Sequence, residues 1–251
     1  MFSGDFHTHS RYSDGQGTLY ENVVEAVKKG YRFYGVTDHG PNNIGTGVRK
    51  EKVYFLIKEE AQKLQEEFSG IKILVGAEAD IISLEGDIDI SEEVVLALDY
   101  LIIGLHPYIF PKTLKDGLLF VLPNLLGRII PGFKKYLMRI NTGALVRAIE
   151  KYRPLIISHP NLFMPVDIEE LARKCSEYGV ALELNTGHDY PRDEIVRAAL
   201  KTGAKLIVNS DAHFPQTVGE LKSGEELLGR FNFPRNKVLN AAENNFIFKK
   251  N

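Results

Sequence analysis

Two periodicities of apolar residues take turns along almost the whole chain. Short continuous apolar runs, of the kind that forms buried strands, cover residues 2–7, 32–38, 71–78, 99–106, 154–159, 180–185 and 204–209. Segments with apolar residues at helical spacing fill the gaps at 19–29, 50–68, 91–97, 144–152, 168–178 and 193–201. Glycines stand where several of these helices should stop, at Gly30, Gly70, Gly179 and Gly203. Strand followed by helix, about seven times over, predicts a parallel α/β architecture. No internal repeat, low-complexity tract or linker breaks the rhythm. Residues 1–251 therefore read as one domain.

One segment departs from the pattern. Residues 107–142 contain Gly117-Leu118-Leu119-Phe120-Val121-Leu122-Pro123 and then Asn124-Leu125-Leu126-Gly127-Arg128-Ile129-Ile130-Pro131. The segment is too apolar for a solvated loop and too interrupted to span a bilayer. It predicts a helical insertion packed on the domain. A lid, an oligomer contact and a membrane-surface patch are the sharper alternatives.

Composition narrows the class. Hydrophobic residues make up 44% and charged residues 25%, as in an ordinary globular protein with a sizeable core. A formal net charge of −2 gives no global basic footprint for nucleic acid, although a local groove is not excluded. The single cysteine, Cys175, cannot form an internal disulfide and fits a reducing compartment. The first strand starts almost at the N-terminus, leaving no room for a signal peptide, and no stretch of 18 uncharged apolar residues predicts a spanning helix. A cytoplasmic location is the resulting expectation.

The chemistry lies at the ends of the apolar runs. Five of them lead into histidine clusters: Phe6-His7-Thr8-His9, Val36-Thr37-Asp38-His39, Ile103-Gly104-Leu105-His106, Ile157-Ser158-His159-Pro160 and Asn209-Ser210-Asp211-Ala212-His213. The run Ile73-Leu74-Val75-Gly76-Ala77-Glu78 ends in a carboxylate. Imidazole and carboxylate are the ligand set for zinc, manganese and iron. A parallel sheet or barrel gathers the residues at the carboxyl ends of its strands. Strand alternation puts His7 and His9 on one face, about 7 Å apart. Asp211 and His213 repeat that two-residue spacing. Glu78 is costly to bury unpaired, and a position between two cations relieves the cost. Asp14, in the turn-like Ser13-Asp14-Gly15, completes nine candidate ligands: His7, His9, Asp14, His39, Glu78, His106, His159, Asp211 and His213. Nine is too many for one tetrahedral site and fits two or three ions. Asp38 and Asp5 are candidates for orienting His39 and the first histidine pair. Arg11 and His188 lie on loops suited to meeting a phosphate. Glu183 and Asn185 share a strand and stand as outer contacts or substrate contacts, not as ligands.

The complete set, H-x-H, T-D-H-G, a strand-end Glu, two strand-end histidines and S-D-x-H in that order, resembles the polymerase and histidinol phosphatase (PHP) superfamily. The resemblance runs from Asp5 to about His213. It implies a distorted seven-stranded (β/α) TIM-like barrel with a trinuclear metal site at the carboxyl ends of the strands. By motif, His7, His9, Glu78 and Asp211 would hold one ion. Glu78 would bridge to a second, held with His106 and His159, and Asp14, His39 and His213 would hold a third. Some members have histidine where this chain has Asp14, a harder ligand that favours manganese or iron. The segment after His106 looks longer than in compact single-domain members.

Clustered divalent ions lower the pKa of a bound water and clamp the attacking and leaving oxygens of an in-line displacement. The expectation is phosphoester hydrolysis by a metal-bridging hydroxide, with Glu78, Asp211 and His213 at the chemistry and a small phosphorylated substrate. A metal-dependent nuclease and a non-catalytic metal-binding module are the competing readings. The low net charge leans away from nucleic acid.

Overall fold

The computed structural model describes residues 1–127 and 132–243; Arg128 to Pro131 of the apolar insertion lie outside the described residues. Among the described residues eight strands form two parallel sheets. β1 (Gly4–Asp5), β2 (Phe33–Val36) and β3 (Lys72–Val75) make the first, and β4 (Glu78–Asp80), β5 (Ile102–Gly104), β6 (Ile156–Ile157), β7 (Ala181–Asn185) and β8 (Lys205–Asn209) the second. Every strand pair is parallel and joins neighbours in chain order.

The parallel α/β expectation holds, but a ladder of seven strands closing on itself is not what is found. The third apolar run is two strands. Gly76 N donates to Val36 O in the first sheet, whereas Ile102 N of the second donates to Ala77 O. The run changes sheets between these residues, so Glu78 sits in a different sheet from Val75. The sheets approach each other through single bridges, Thr8 with Ala212 and His39 with Glu78. All four bridging residues border or belong to the candidate ligand set.

Helices follow most strands: α1 (Leu19–Lys28), α2 (Val53–Glu67), α3 (Glu92–Ala97), α4 (Leu114–Asp116), α5 (Leu122–Leu126), α6 (Lys134–Tyr152), α7 (Ile168–Tyr178), α8 (Arg192–Thr202) and α9 (Lys222–Arg230). α1 starts with a capping box, Thr18 accepting from Glu21 N and Glu21 returning the contact. Gly179 and Gly203 end α7 and α8 at positive φ, as read from sequence. α6 begins ten residues before the predicted 144, inside the insertion, and α9 was not predicted. Between α4 and α5 the chain makes a π-helical turn, Gly117–Val121. Phe120 and Leu137 are buried, and the amides of Asn124 and Asn141 pair with each other at 2.9 Å.

The parallel strands are buried on both faces. Inward residues Phe6, Leu74, Tyr100, Ile102, Ile156, Ala181 and Ile207 form a small apolar cluster, and the alternate residues pack on the helices in a much larger one. The two ends of the described chain meet. Asn240, fully buried, donates from Nδ2 to Gly4 O and Val208 O, and Ser3 N donates to Asn240 O at 2.8 Å. Phe2 bridges to Ala241.

Candidate metal centre

All nine candidate ligands converge at the carboxyl ends of the strands. Four overlapping groups each place their donor atoms within 4.8 Å of one another: His9 with Asp14, His39 and His213; His7 with His9 and Asp211; His7 with Glu78 and His159; His39 with Glu78 and His106. The overlaps differ from the partition implied by the resemblance. His9 groups with the proposed third set as well as the first, and His39 groups with the second.

Glu78 is the hub. Its Oε1 lies 2.9 Å from His159 Nε2 and 3.8 Å from His106 Nε2, and its Oε2 lies 3.2 Å from His7 Nε2 and 3.1 Å from His39 Nδ1. The residue is fully buried; burial alone would raise its pKa, yet the surrounding imidazoles hold it well below the carboxylate range. Gly104 makes room for it, since a Cβ there would fall 3.0 Å from Glu78 Oε1 and 2.6 Å from Ser158 Oγ. Asp211 Oδ1 faces His9 Nε2 at 3.0 Å and His7 Nε2 at 3.5 Å, and Oδ2 meets Asn185 Nδ2 at 2.8 Å. Asp211 and His159 both sit at positive φ, 54° and 25°. Such backbone is strained for non-glycine residues and gathers at functional sites.

The rings are aimed by acceptors behind them. Glu183 Oε1 accepts from His7 Nδ1 at 2.7 Å, Asp80 accepts from His106 Nδ1, and Asp211 O accepts from His213 Nδ1 at 2.9 Å. Each bond spends the Nδ1 proton and turns the Nε2 lone pair inward, the arrangement that metal-binding histidines use. The electrostatics sort the rings. Burial, together with His39 and His213, lowers His9 to about 3, keeping it a neutral donor. Burial opposes charge on His106 and His213 too, but Asp80 and Glu78 push the first, and Asp14 and Asp211 the second, up to about 9. The facing Asp14 is drawn down to about 2; burial opposes this, and the bond to His213 and the neighbouring His39 prevail.

Seven buried side-chain polar atoms lack a hydrogen-bond partner among the described residues, and five of them are His7 Nε2, His9 Nδ1, His39 Nδ1 and both Glu78 oxygens. Orphaned buried lone pairs are costly and rare. Their convergence fits divalent cations, which satisfy several lone pairs at once. The donor set of imidazole and carboxylate fits zinc, manganese or iron.

A cleft of about 320 Å³ opens onto this nest. Asp14, His39, His106, His159, Asp211 and His213 form its floor, and Asn43, Ile44, Thr46, Pro107, Tyr108, Phe163 and His188 its walls. Loop 40–48 and the start of the insertion are knitted together there, with Ile44 N donating to Tyr108 O and Phe110 N to Asn42 O. His188 reaches the cleft as predicted, its Nε2 3.2 Å from Asp211 Oδ2.

Three expectations change. Arg11 is not among the cleft-lining residues; its Nε donates to Gln16 O at 2.8 Å and its guanidinium faces Glu21 from an exposed position. Asp38 does not touch the His39 ring: it accepts from Ser10 N, Ser10 Oγ and Ser13 Oγ, and so fixes the loop that carries Asp14. Asp5 likewise binds backbone, accepting from His7 N, Ser210 N and Gly219 N, plus the Ser210 hydroxyl. Both orient strand ends rather than imidazoles. The ring-orienting acids are instead Glu183, left open in the sequence, and Asp80, which was missed. Asp80 shares the face of Glu78 by strand alternation, and Glu183 is an acid between two leucines on a buried strand; those were the available signals.

A nest of imidazoles and carboxylates at the carboxyl ends of parallel strands defines an α/β protein with a centre able to hold metal ions. The PHP domain profile matches residues 5–222, and the chain belongs to the PHP domain family. Among curated relatives, a protein of Pectobacterium atrosepticum named a probable phosphatase is 30% identical over 252 residues, covering 96% of this chain and 91% of its own. One from Shewanella sp. (strain ANA-3), with the same name, is 29% identical over 246 residues, 94% and 86% of the two chains. The fold matches that of histidinol phosphate phosphatase from Lactococcus lactis, a structure holding zinc, L-histidinol and phosphate: TM-score 0.64, 18% identity, 93% of this chain and 95% of that one. Among the described residues no helix is long and apolar enough to cross a membrane.

Proposed function

We propose that this protein is a metal-dependent phosphatase of small phosphomonoesters, with two or three divalent ions held by His7, His9, Asp14, His39, Glu78, His106, His159, Asp211 and His213. The chain is a hydrolase of the phosphoesterase class. The observation that carries the metal reading is the set of orphaned lone pairs on His7, His9, His39 and Glu78, which belong to overlapping groups of donors beside the cleft. Their relatives' name, probable phosphatase, supports the reaction class.

Bound divalent ions supply a water that ionises near neutral pH and neutralise phosphoryl oxygens. The chain's residues do the rest. Glu78 balances the charge of the rings around it and fixes the spacing between the two halves of the nest. Asp211 accepts hydrogen bonds from His9 and Asn185, and its strained backbone holds its second oxygen toward the cleft and His188. His188, half-exposed at the cleft wall, donates to the phosphoryl group. His213, at the mouth and partly exposed, presents Nε2 beside Asp14 Oδ2, 3.2 Å away, and would complete the outermost ion position with it.

A nuclease fits less well. No lysine or arginine is among the cleft-lining residues, so no cationic track follows a polynucleotide backbone from it. Parallel assays with p-nitrophenyl phosphate, histidinol phosphate and single-stranded DNA, with manganese or zinc present, decide the matter. Turnover of the monoesters that His9→Ala or Asp211→Ala abolishes, with the circular dichroism spectrum unchanged, is the expected result. DNA cleavage alone would replace this reading with the nuclease. No turnover by metal-replete protein would leave a binding module.

A further inference from the structure

The insertion after β5 presents a surface that the active site does not use. From Leu114 to Leu126 the chain is a continuous helical rod of α4, a π turn and α5. Its inner side carries the buried Asp116, Phe120, Pro123 and Asn124. Its outer side carries Leu114, Leu118, Leu119, Leu122 and Leu126, between 38% and 80% exposed. None of these leucines lines the cleft. Solvent should not be left facing five leucines on one side of a single helical rod, and such a patch marks a docking surface.

Charge selects the occupant. Residues 107–142 hold Lys112, Lys115, Arg128, Lys134, Lys135 and Arg139 against one acid, Asp116, a net of +5 in a chain whose total is −2. The remainder of the molecule therefore carries −7. Lys112, Lys115, Lys134, Lys135 and Arg139 are all exposed, Lys112 being paired with Asp87 at 3.0 Å. Asp116 is spent internally, on Thr113 and Leu84 N. Leucines on a helical rod too short to span a bilayer, carrying Lys115 and followed in sequence by the basic start of α6, are the pattern of an element that lies in an anionic lipid interface. A symmetric contact with a second copy would instead set +5 against +5, and the acidic remainder would be repelled from the same bilayer that attracts the insertion.

We propose that the 114–126 rod, with the lysines around it, docks this protein reversibly on an anionic membrane surface. The leucines enter the headgroup boundary and the lysines meet lipid phosphates. Tyr108 and Phe110, 56% and 59% exposed at the root of the insertion, extend the same apolar rim to the cleft mouth.

The full chain is tested by co-sedimentation with vesicles of phosphatidylcholine alone and of phosphatidylcholine with phosphatidylglycerol at about 7:3. Expected is partition onto the mixed vesicles, little onto the neutral ones, and release as salt rises from about 0.1 to about 0.5 M. Leu118→Ser/Leu122→Ser and Lys134→Glu/Lys135→Glu should each weaken partition at least about tenfold. Both pairs are exposed and leave circular dichroism and phosphatase activity unchanged. Wild-type protein that stays in the supernatant with mixed vesicles would overturn the proposal. So would binding that the leucine variant retains, since adsorption would then need no insertion. A micromolar dimer that the leucine variant loses would assign the stripe to a second copy instead.

Discussion

Glu183→Gln probes the centre without touching a proposed ligand. The carboxylate is fully buried and accepts four hydrogen bonds: from His7 Nδ1 at 2.7 Å and Asn209 Nδ2 at 2.8 Å on one oxygen, and from His159 N at 2.9 Å and Asn185 Nδ2 at 3.2 Å on the other. An amide keeps one acceptor and turns its NH₂ toward two of those donors. On the first side, His7 must shift its proton to Nε2, which removes the inward lone pair. On the second, the amide opposes the backbone N–H of His159, which cannot reorient because its φ is already fixed at 25°. Either outcome leaves a buried donor unpaired, at about 1–3 kcal/mol. If that falls on metal binding, the binding constant drops about five- to 150-fold, the range seen when outer partners of metal-binding histidines are removed. The assay titrates metal-free protein with zinc or manganese against a chromophoric chelator and follows the melting temperature in parallel. Hydrolysis should return toward the wild-type rate when metal is saturating, because the ligands themselves remain. Metal affinity and melting temperature both equal to wild type would refute the argument that Glu183 aims His7 and His159.

Other outcomes follow from the same geometry. Folded-state pKa values of about 9 for His106 and His213, above the ordinary 6.5, mean that their stabilisation is complete below about 6.5 and is lost as pH rises through 9. The melting temperature of metal-free protein should therefore fall across that window, while metal affinity, which requires deprotonated rings, rises across it; a flat melting profile would contradict this. Arg11→Ala should leave KM unchanged, because the guanidinium points at Gln16 and Glu21; a several-fold rise in KM would return it to the cleft. Gly104→Ala should displace Glu78 and Ser158, costing about 1–3 kcal/mol in melting experiments and lowering metal content, and an unchanged metal content would show that the hub can shift.

The donor residues were legible because of where they stand. Imidazoles and carboxylates immediately after buried-strand runs have one place to go in a parallel sheet, and His7, His39, His106, His159 and Asp211 all went there. The handover of the third strand between sheets was not legible, since Gly76-Ala77 reads as a continuous apolar run and the switch depends on which neighbour accepts each amide. Asp38 and Asp5 misled for a related reason. Asp38, next to His39, points to the opposite face of the strand and meets the serines of the Asp14 loop, whereas Asp5, two residues before His7, is taken up by the Ser210 hydroxyl and by the amides of His7, Ser210 and Gly219. The acids that do hold rings, Asp80 and Glu183, are distant in sequence from His106 and His7. α9 lies beyond the last ligand, where only its amphipathic spacing marked it.

Asn240 ties the segments around Gly4 and Val208 together, and this bears on the order in which the structure assembles. His9 and Asp211 stand 202 residues apart in sequence, yet they share one nest. Asn240, which follows both of them, links the β1 and β8 segments by donating to Gly4 O and Val208 O. Contacts this far apart in sequence are slow to form because the intervening loop must close first. The donor nest is thus expected to assemble late in folding, once these distant segments have met.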